Sequence, residues 1–145
     1  MATRDYVIVH TAAHDSDTSA ETIRRWHVDG NGWRDIGYHL VIRKDGTLEY
    51  GRPYDHNGAH CVDMGMNSRS IGVCFSGHGD LYDFTEEQKR AFAPWYYQVA
   101  YCKYDIPWRH VWGHRETGAN KSCPGTQVDM DRLRRTLQIR YFGTL

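Results

Sequence analysis

The chain predicts an α/β fold, a single domain in which a central mixed β-sheet is flanked by helices on both faces. Three observations carry this. Tyr6-Val-Ile-Val9 is an unbroken β-prone run of the kind found in strands buried on both sides. Asp45-Gly46 sits between two further β-prone runs, a strong hairpin signal. Between and after these runs stand segments with helical spacing and N-cap residues, so strands and helices alternate. At 145 residues the chain has room for one hydrophobic core, and residues 1–145 are expected to form one catalytic domain without a separate wall-binding domain.

Taken in order, the first strand runs through Tyr6–Val9 and delivers His10 at its C-terminal end, where open α/β sheets place their ligands. Thr18-Ser-Ala-Glu21 fits a capping box, and Ile23, Trp26 and His27 follow at helical spacing to a stop near Asp29-Gly30. Residues 37–43 and 47–51 form the hairpin, with Tyr38 at a strand entry. Arg52 to Arg69, rich in Gly, Asn, His and Met, shows no sustained period and reads as a long surface loop of the kind that carries function. Ser70–Gly77 is another buried strand. Phe84 and Thr85-x-x-Gln88 supply a staple residue and a capping box for a helix over about 86–103, which Pro94 should kink or break. Val111-Trp-Gly113 is a short strand leading into His114, and Asp129 caps a last helix bearing Met130, Leu133 and Leu137 on one face.

Charge excludes some classes of partner. Lys and Arg number 18 against 18 Asp and Glu, so no net field favours nucleic acid. The one basic cluster, Arg132, Arg134, Arg135 and Arg140, reads as the solvated face of the last helix. No run approaches the roughly 20 apolar residues of a membrane span, so no membrane insertion is expected. Met1-Ala-Thr-Arg-Asp5 leads into only four apolar residues, which is no secretory signal, so synthesis in a cytoplasm is expected. In a reducing compartment the cysteines stay free, and Cys74 and Cys102 read as small core residues.

The chemistry concentrates in His114-Arg-Glu-Thr-Gly-Ala-Asn-Lys121-Ser-Cys123-Pro124, a short polar segment holding an imidazole, an ammonium and a thiol. With His10 it suggests a His, His, Cys zinc site. Three protein ligands leave a fourth position open, the arrangement of catalytic rather than structural zinc. One thiolate and two neutral imidazoles leave such a centre near +1, still a Lewis acid able to act on an amide. Lys121, two residues before Cys123, and Tyr38 are the nearest candidate proton donors. The pairs His10/His14, His56/His60 and His110/His114 are each four apart but straddle strand ends or contain Asn57-Gly58, so none is expected to clamp a metal by itself.

Val9-His10-Thr11, Trp26-His27, Gly32-Trp33-x-Asp35-Ile36-Gly37-Tyr38-His39, Arg43–Thr47, Gly58-Ala59-His60, Asn67-Ser68-x-Ser70–Val73, Gly113–Glu116 and Lys121–Gly125 together resemble the zinc-dependent N-acetylmuramoyl-L-alanine amidases of type 2. That family includes small phage endolysins and the animal peptidoglycan recognition proteins, and the resemblance spans about Tyr6 to Leu137. It implies one Zn²⁺ on His10, His114 and Cys123, with Tyr38 and Lys121 as the catalytic pair and His39 and His60 lining a substrate groove. The implied reaction is hydrolysis of the amide between N-acetylmuramic acid and L-alanine of peptidoglycan, by a monomeric bacteriolytic enzyme acting on the cell wall. A muropeptide-recycling amidase, or a module that binds peptidoglycan without cutting it, are the alternatives on the same fold. A structural protein whose His and Cys are core residues would be indifferent to chelation.

Overall fold

The structure is a computed structural model and describes residues 3–143. Its sheet has five strands: β1 (Tyr6–Thr11), β2 (Leu40–Ile42), β3 (Leu48–Tyr50), β4 (Ser70–Phe75) and β5 (Val111–Gly113), in the spatial order β3-β2-β4-β1-β5. β1 lies between β4 and β5 and is parallel to both, β2 is parallel to β4, and only the β2–β3 hairpin is antiparallel. The mixed sheet expected from the element order is therefore present. β1 is an interior strand, which is why its run is apolar without alternation: Val7, Ile8 and Val9 are all fully buried.

Two-residue periodicity divides those side chains between the faces. Val7 and Val9, with Ile71, Val73, Phe75 and Val111, enter the main core beneath α3 (Glu86–Trp95) and α4 (Met130–Phe142), where they meet Phe92, Tyr96, Met130 and Leu137. Ile8 faces the other way, into a small cluster with Cys61 and Met66 from α2 (Met66–Arg69). Val41 and Cys74 share that second face and pack against Ala20 and Ile23 of α1 (Ala20–Arg25). By the same alternation His10, two residues beyond Ile8, projects on this thinner side, whose apolar cover is split into two patches.

Several local readings shift. The first helix is capped by Ser19, whose hydroxyl accepts from the Thr22 amide, rather than by a Thr18–Glu21 box, and it widens into a π-turn over Trp26–Gly30. Residues 52–69 hold a 3₁₀ turn (Asp63–Gly65) and α2, fastened by the Asn67 side chain, whose Oδ1 accepts from the amides of His60 (2.7 Å) and Cys61 (2.8 Å). Pro94 does not break its helix. Lacking an N–H and crowding the preceding turn, it is followed by a change of winding from α to π over Tyr96–Tyr101. Cys102, expected in the core, is exposed, because the widened turn carries it to the outer side; Cys74 is buried as expected. Arg134 is not a solvated charge: its guanidinium makes a two-point pair with Glu116 at 2.7 and 2.8 Å and also reaches the Val111 carbonyl. Among the described residues no helix is long and apolar enough to cross a membrane.

The capping box at Thr85–Gln88 is complete and does more than end a helix. Gln88 is 1% exposed; its Oε1 accepts from the Thr85 amide, and its Nε2 donates to the carbonyls of Ile42 (3.1 Å) and Ser76 (2.8 Å), at the ends of β2 and β4. Gln88→Ala removes half of the cap and strands the Ser76 carbonyl, while the Ile42 carbonyl keeps the Ser76 amide, so it should cost about 1–3 kcal/mol. The denaturation midpoint against urea measures this, and a loss under about 0.5 kcal/mol, the range of an ordinary surface change, would contradict it.

Candidate metal centre and active site

Three separated segments meet at the C-terminal ends of β1 and β5. Parallel pairing puts Val9 opposite Gly113, so His114, the next residue, lies beside His10 with ring centroids 4.7 Å apart. Cys123 is brought back by a set of polar ties. The Arg115 amide donates to the Cys123 carbonyl at 2.7 Å, and the Arg115 guanidinium reaches the carbonyls of Gly125 (2.5 Å) and Val128 (2.6 Å). Asp80 accepts from the Ser122 hydroxyl at 3.0 Å and the Thr126 amide at 2.9 Å. Gly79 and Gly125 let the two loops touch backbone to backbone: a Cβ on Gly79 would lie 1.8 Å from the Pro124 carbonyl oxygen. Glu116 accepts from the Gly113 amide at 2.8 Å and holds Arg134, fixing the turn that presents His114.

The donor atoms of His10, His114 and Cys123 all lie within 4.8 Å of one another. His10 turns Nδ1 to the Cys123 sulfur at 3.7 Å. Zinc bonds of about 2.0–2.1 Å to nitrogen and 2.3 Å to sulfur, opened to a tetrahedral angle, separate the two donors by about 3.6 Å. The residues therefore fit a zinc ion in both donor type and spacing. A second group, Cys61, Asp63 and His114, is equally close but borrows the same histidine. It lacks a second imidazole, so the first set is the better match to zinc. Neither group contains two members of any of the four-apart histidine pairs.

The three donors open onto a cleft of about 460 Å³ also lined by Tyr38, His60 and Lys121. His39 does not line it. That ring is fully buried, with Nε2 bonded to the His56 carbonyl at 2.7 Å and Nδ1 accepting from the Gly72 amide at 3.0 Å, so it ties the loop to β4 and has no face for a ligand. His27, Trp33, Asp63 and Asn67 line the cleft without having been singled out as site residues. Asp63, 3.7 Å from His114 Nε2, gave no signal beyond one acid in an aperiodic loop, whereas Trp33 and His27 could have been found as aromatic groups flanking the Gly37–Tyr38 strand entry.

The model of the N-acetylmuramoyl-L-alanine amidase family matches residues 1–126. The chain belongs to that family. The endolysin of Enterobacteria phage K11 is 35% identical over 135 residues, covering 88% of this chain and 83% of that protein. Peptidoglycan-recognition protein SC2 of Drosophila melanogaster is 35% identical over 129 residues, 84% of this chain and 68% of its own. Among solved structures, the N-acetylmuramoyl-L-alanine amidase LysC from Clostridium intestinale URNW superposes with a TM-score of 0.83 at 26% identity, covering 94% of this chain and 87% of that one.

In this amidase-family site the electrostatics favour neutral imidazoles. Burial holds His10 and His60 well below the usual histidine value, with neighbouring histidines adding to the effect, and burial and then Lys121 lower His114. The Cys123 thiol is pushed up to about 11 by burial, opposed by the Thr11 amide and Lys121; bonding to a metal deprotonates such a thiol outright. Buried His39 is lowered to about 4. In the unfolded chain all of these imidazoles titrate near 6.5, so below that pH the unfolded state binds protons that the folded state refuses. Stability is then fully present above about 6.5 and is lost as pH falls toward the lowered folded values. For metal-free protein the loss should approach about 1.4 kcal/mol per pH unit for each such histidine. Urea midpoints taken from pH 7 to pH 5 should fall steadily, and an unchanged midpoint would contradict these assignments.

Proposed function

We propose that the chain hydrolyses the amide joining the lactyl group of N-acetylmuramic acid to L-alanine in peptidoglycan, as a zinc enzyme that breaks down the bacterial wall in the manner of a phage endolysin. The convergence of His10, His114 and Cys123 at one end of the sheet supports this most, because those donors come from distant segments and have zinc-compatible spacing. Family membership and the likeness to LysC support the amide and the substrate.

His10, His114 and Cys123 would hold the ion. When bound it would supply Lewis acidity for the scissile carbonyl and for the attacking water. The rest falls to the chain's own groups. Burial raises the Tyr38 hydroxyl well above its ordinary value, and the Cys74 and Cys123 sulfurs add to that, so Tyr38 keeps its proton and can donate to an oxygen gaining negative charge. Its ring sits 5.1 Å from that of His10. Lys121 lines the same cleft, a cation beside the developing oxyanion and a proton source near the L-alanine nitrogen, which must gain a proton as it departs.

Three outcomes follow. Purified protein loaded with zinc should release stem peptides bearing a free L-alanine amine from sacculi. Cys123→Ala should abolish this and remove the zinc, while Cys102→Ala, at an exposed position far from the cleft in sequence, should leave both intact. Equal activity in the two variants would overturn the site. Tyr38→Phe should lower kcat by roughly 10²–10³, the cost of one oxyanion donor, at unchanged zinc content. A decrease in zinc content instead would make Tyr38 a structural group.

A further inference from the structure

We infer that His60 is a positioning residue for the metal centre, not a group that holds substrate, and that Ser70 sets its tautomer. This rests on the reading of His10 as a ligand, and the observation that carries it is a chain of three hydrogen bonds. His10 Nε2 lies 2.8 Å from His60 Nδ1, His60 Nε2 lies 3.2 Å from the Ser70 hydroxyl, and that hydroxyl lies 2.7 Å from the Met66 carbonyl oxygen.

The direction of the chain follows from counting hydrogens. The Met66 carbonyl can only accept, so the Ser70 hydroxyl donates to it and offers its lone pair to His60. His60 then carries its hydrogen on Nε2, which leaves Nδ1 as an acceptor. That acceptor takes the hydrogen of His10 Nε2, and the free lone pair of His10 is placed on Nδ1, the atom that faces Cys123. A carbonyl of α2 thus dictates, through two side chains, which nitrogen of His10 is available to a metal. Both ring nitrogens of His60 are committed in this chain, so neither remains to recognise a substrate, although the ring borders the cleft.

The surroundings hold the His60 ring to this task. It is seated on two glycines: a Cβ at Gly72 would fall 2.6 Å from its Cγ, and one at Gly58 would fall 2.5 Å from its Cδ2. Its backbone amide is tied to Asn67 Oδ1 at 2.7 Å. Ser70 is fully buried at the start of β4. Contacts that fix the orientation of a ligating histidine are worth about 10–100-fold in metal affinity.

The test measures zinc affinity by competition with a chelator, beside the melting temperature of metal-free protein, for wild type, His60→Ala, His60→Asn and Ser70→Ala. His60→Ala should bind zinc about 10–100-fold more weakly. His60→Asn, whose side-chain oxygen can stand where Nδ1 stood, should recover most of that affinity. Ser70→Ala, which frees His60 to take the other tautomer, should lose part of it. If His60→Ala holds zinc as tightly as wild type and instead raises KM for peptidoglycan, the residue binds substrate and the inference is wrong. If His60→Asn is no better than His60→Ala while both melt far below wild type, the role is only structural, and the inference again fails. A wild-type protein that takes up no zinc would instead bring down the metal reading itself.

Discussion

The parallel pairing of β1 with β5 is the constraint on which the rest depends. With Val9 opposite Gly113, the next residues, His10 still on β1 and His114 just past the end of β5, lie side by side. A one-residue slip would turn His10 into the main core and bury Val9 against the cleft, because side chains alternate between faces. The register is secured on the far side as well: Val7 and Val9 are fully buried under α3 and α4, so hydrophobic burial selects the same alignment that brings His10 to His114.

What the sheet places, the loops must complete, and they do so with polar ties rather than apolar packing. Arg115, Asp80 and Glu116 satisfy carbonyls and amides of the segment from Gly113 to Val128, which has little apolar cover of its own. The other wall of the cleft is fixed in the same way by Asn67 and His39. Such ties are costly to leave half made, so single losses among them act on the position of Cys123 or His60 as well as on stability. The buried imidazoles carry a related cost: burial first, and neighbouring positive groups after it, disfavour the charged form, the same form that cannot bind a metal.

Much of this was legible in the sequence, for reasons that differ by element. β1 and β4 declare themselves because a strand covered on both faces is apolar throughout, and the Asp45-Gly46 turn and Thr85–Gln88 box are local signals that need no tertiary context. His10, His114, Cys123, Tyr38 and Lys121 do share one cleft. His39 was misread because the segment leading into β2 turns successive side chains to different depths: Tyr38 reaches the cleft and His39 is sealed beneath it. Arg134 was misread because its partner Glu116 lies on another element, and helical spacing cannot reveal a pair made across the fold. Cys102 was placed inside by its aromatic neighbours, but the π-turn after Pro94 shifts the helical phase, and a strict 3.6-residue period cannot follow that shift.

The central claim is that one zinc ion joins β1, the turn after β5 and the Cys123 loop. A crystal structure of the zinc-loaded protein with anomalous data collected on both sides of the zinc edge tests it most directly. The account predicts one strong anomalous peak bonded to His10 Nδ1, His114 and Cys123 Sγ, at about 2.0–2.1 Å from nitrogen and 2.3 Å from sulfur, with His60 still hydrogen-bonded to the back of His10. A peak seated instead on Cys61 and Asp63, or none at all in protein shown to contain zinc, would contradict it.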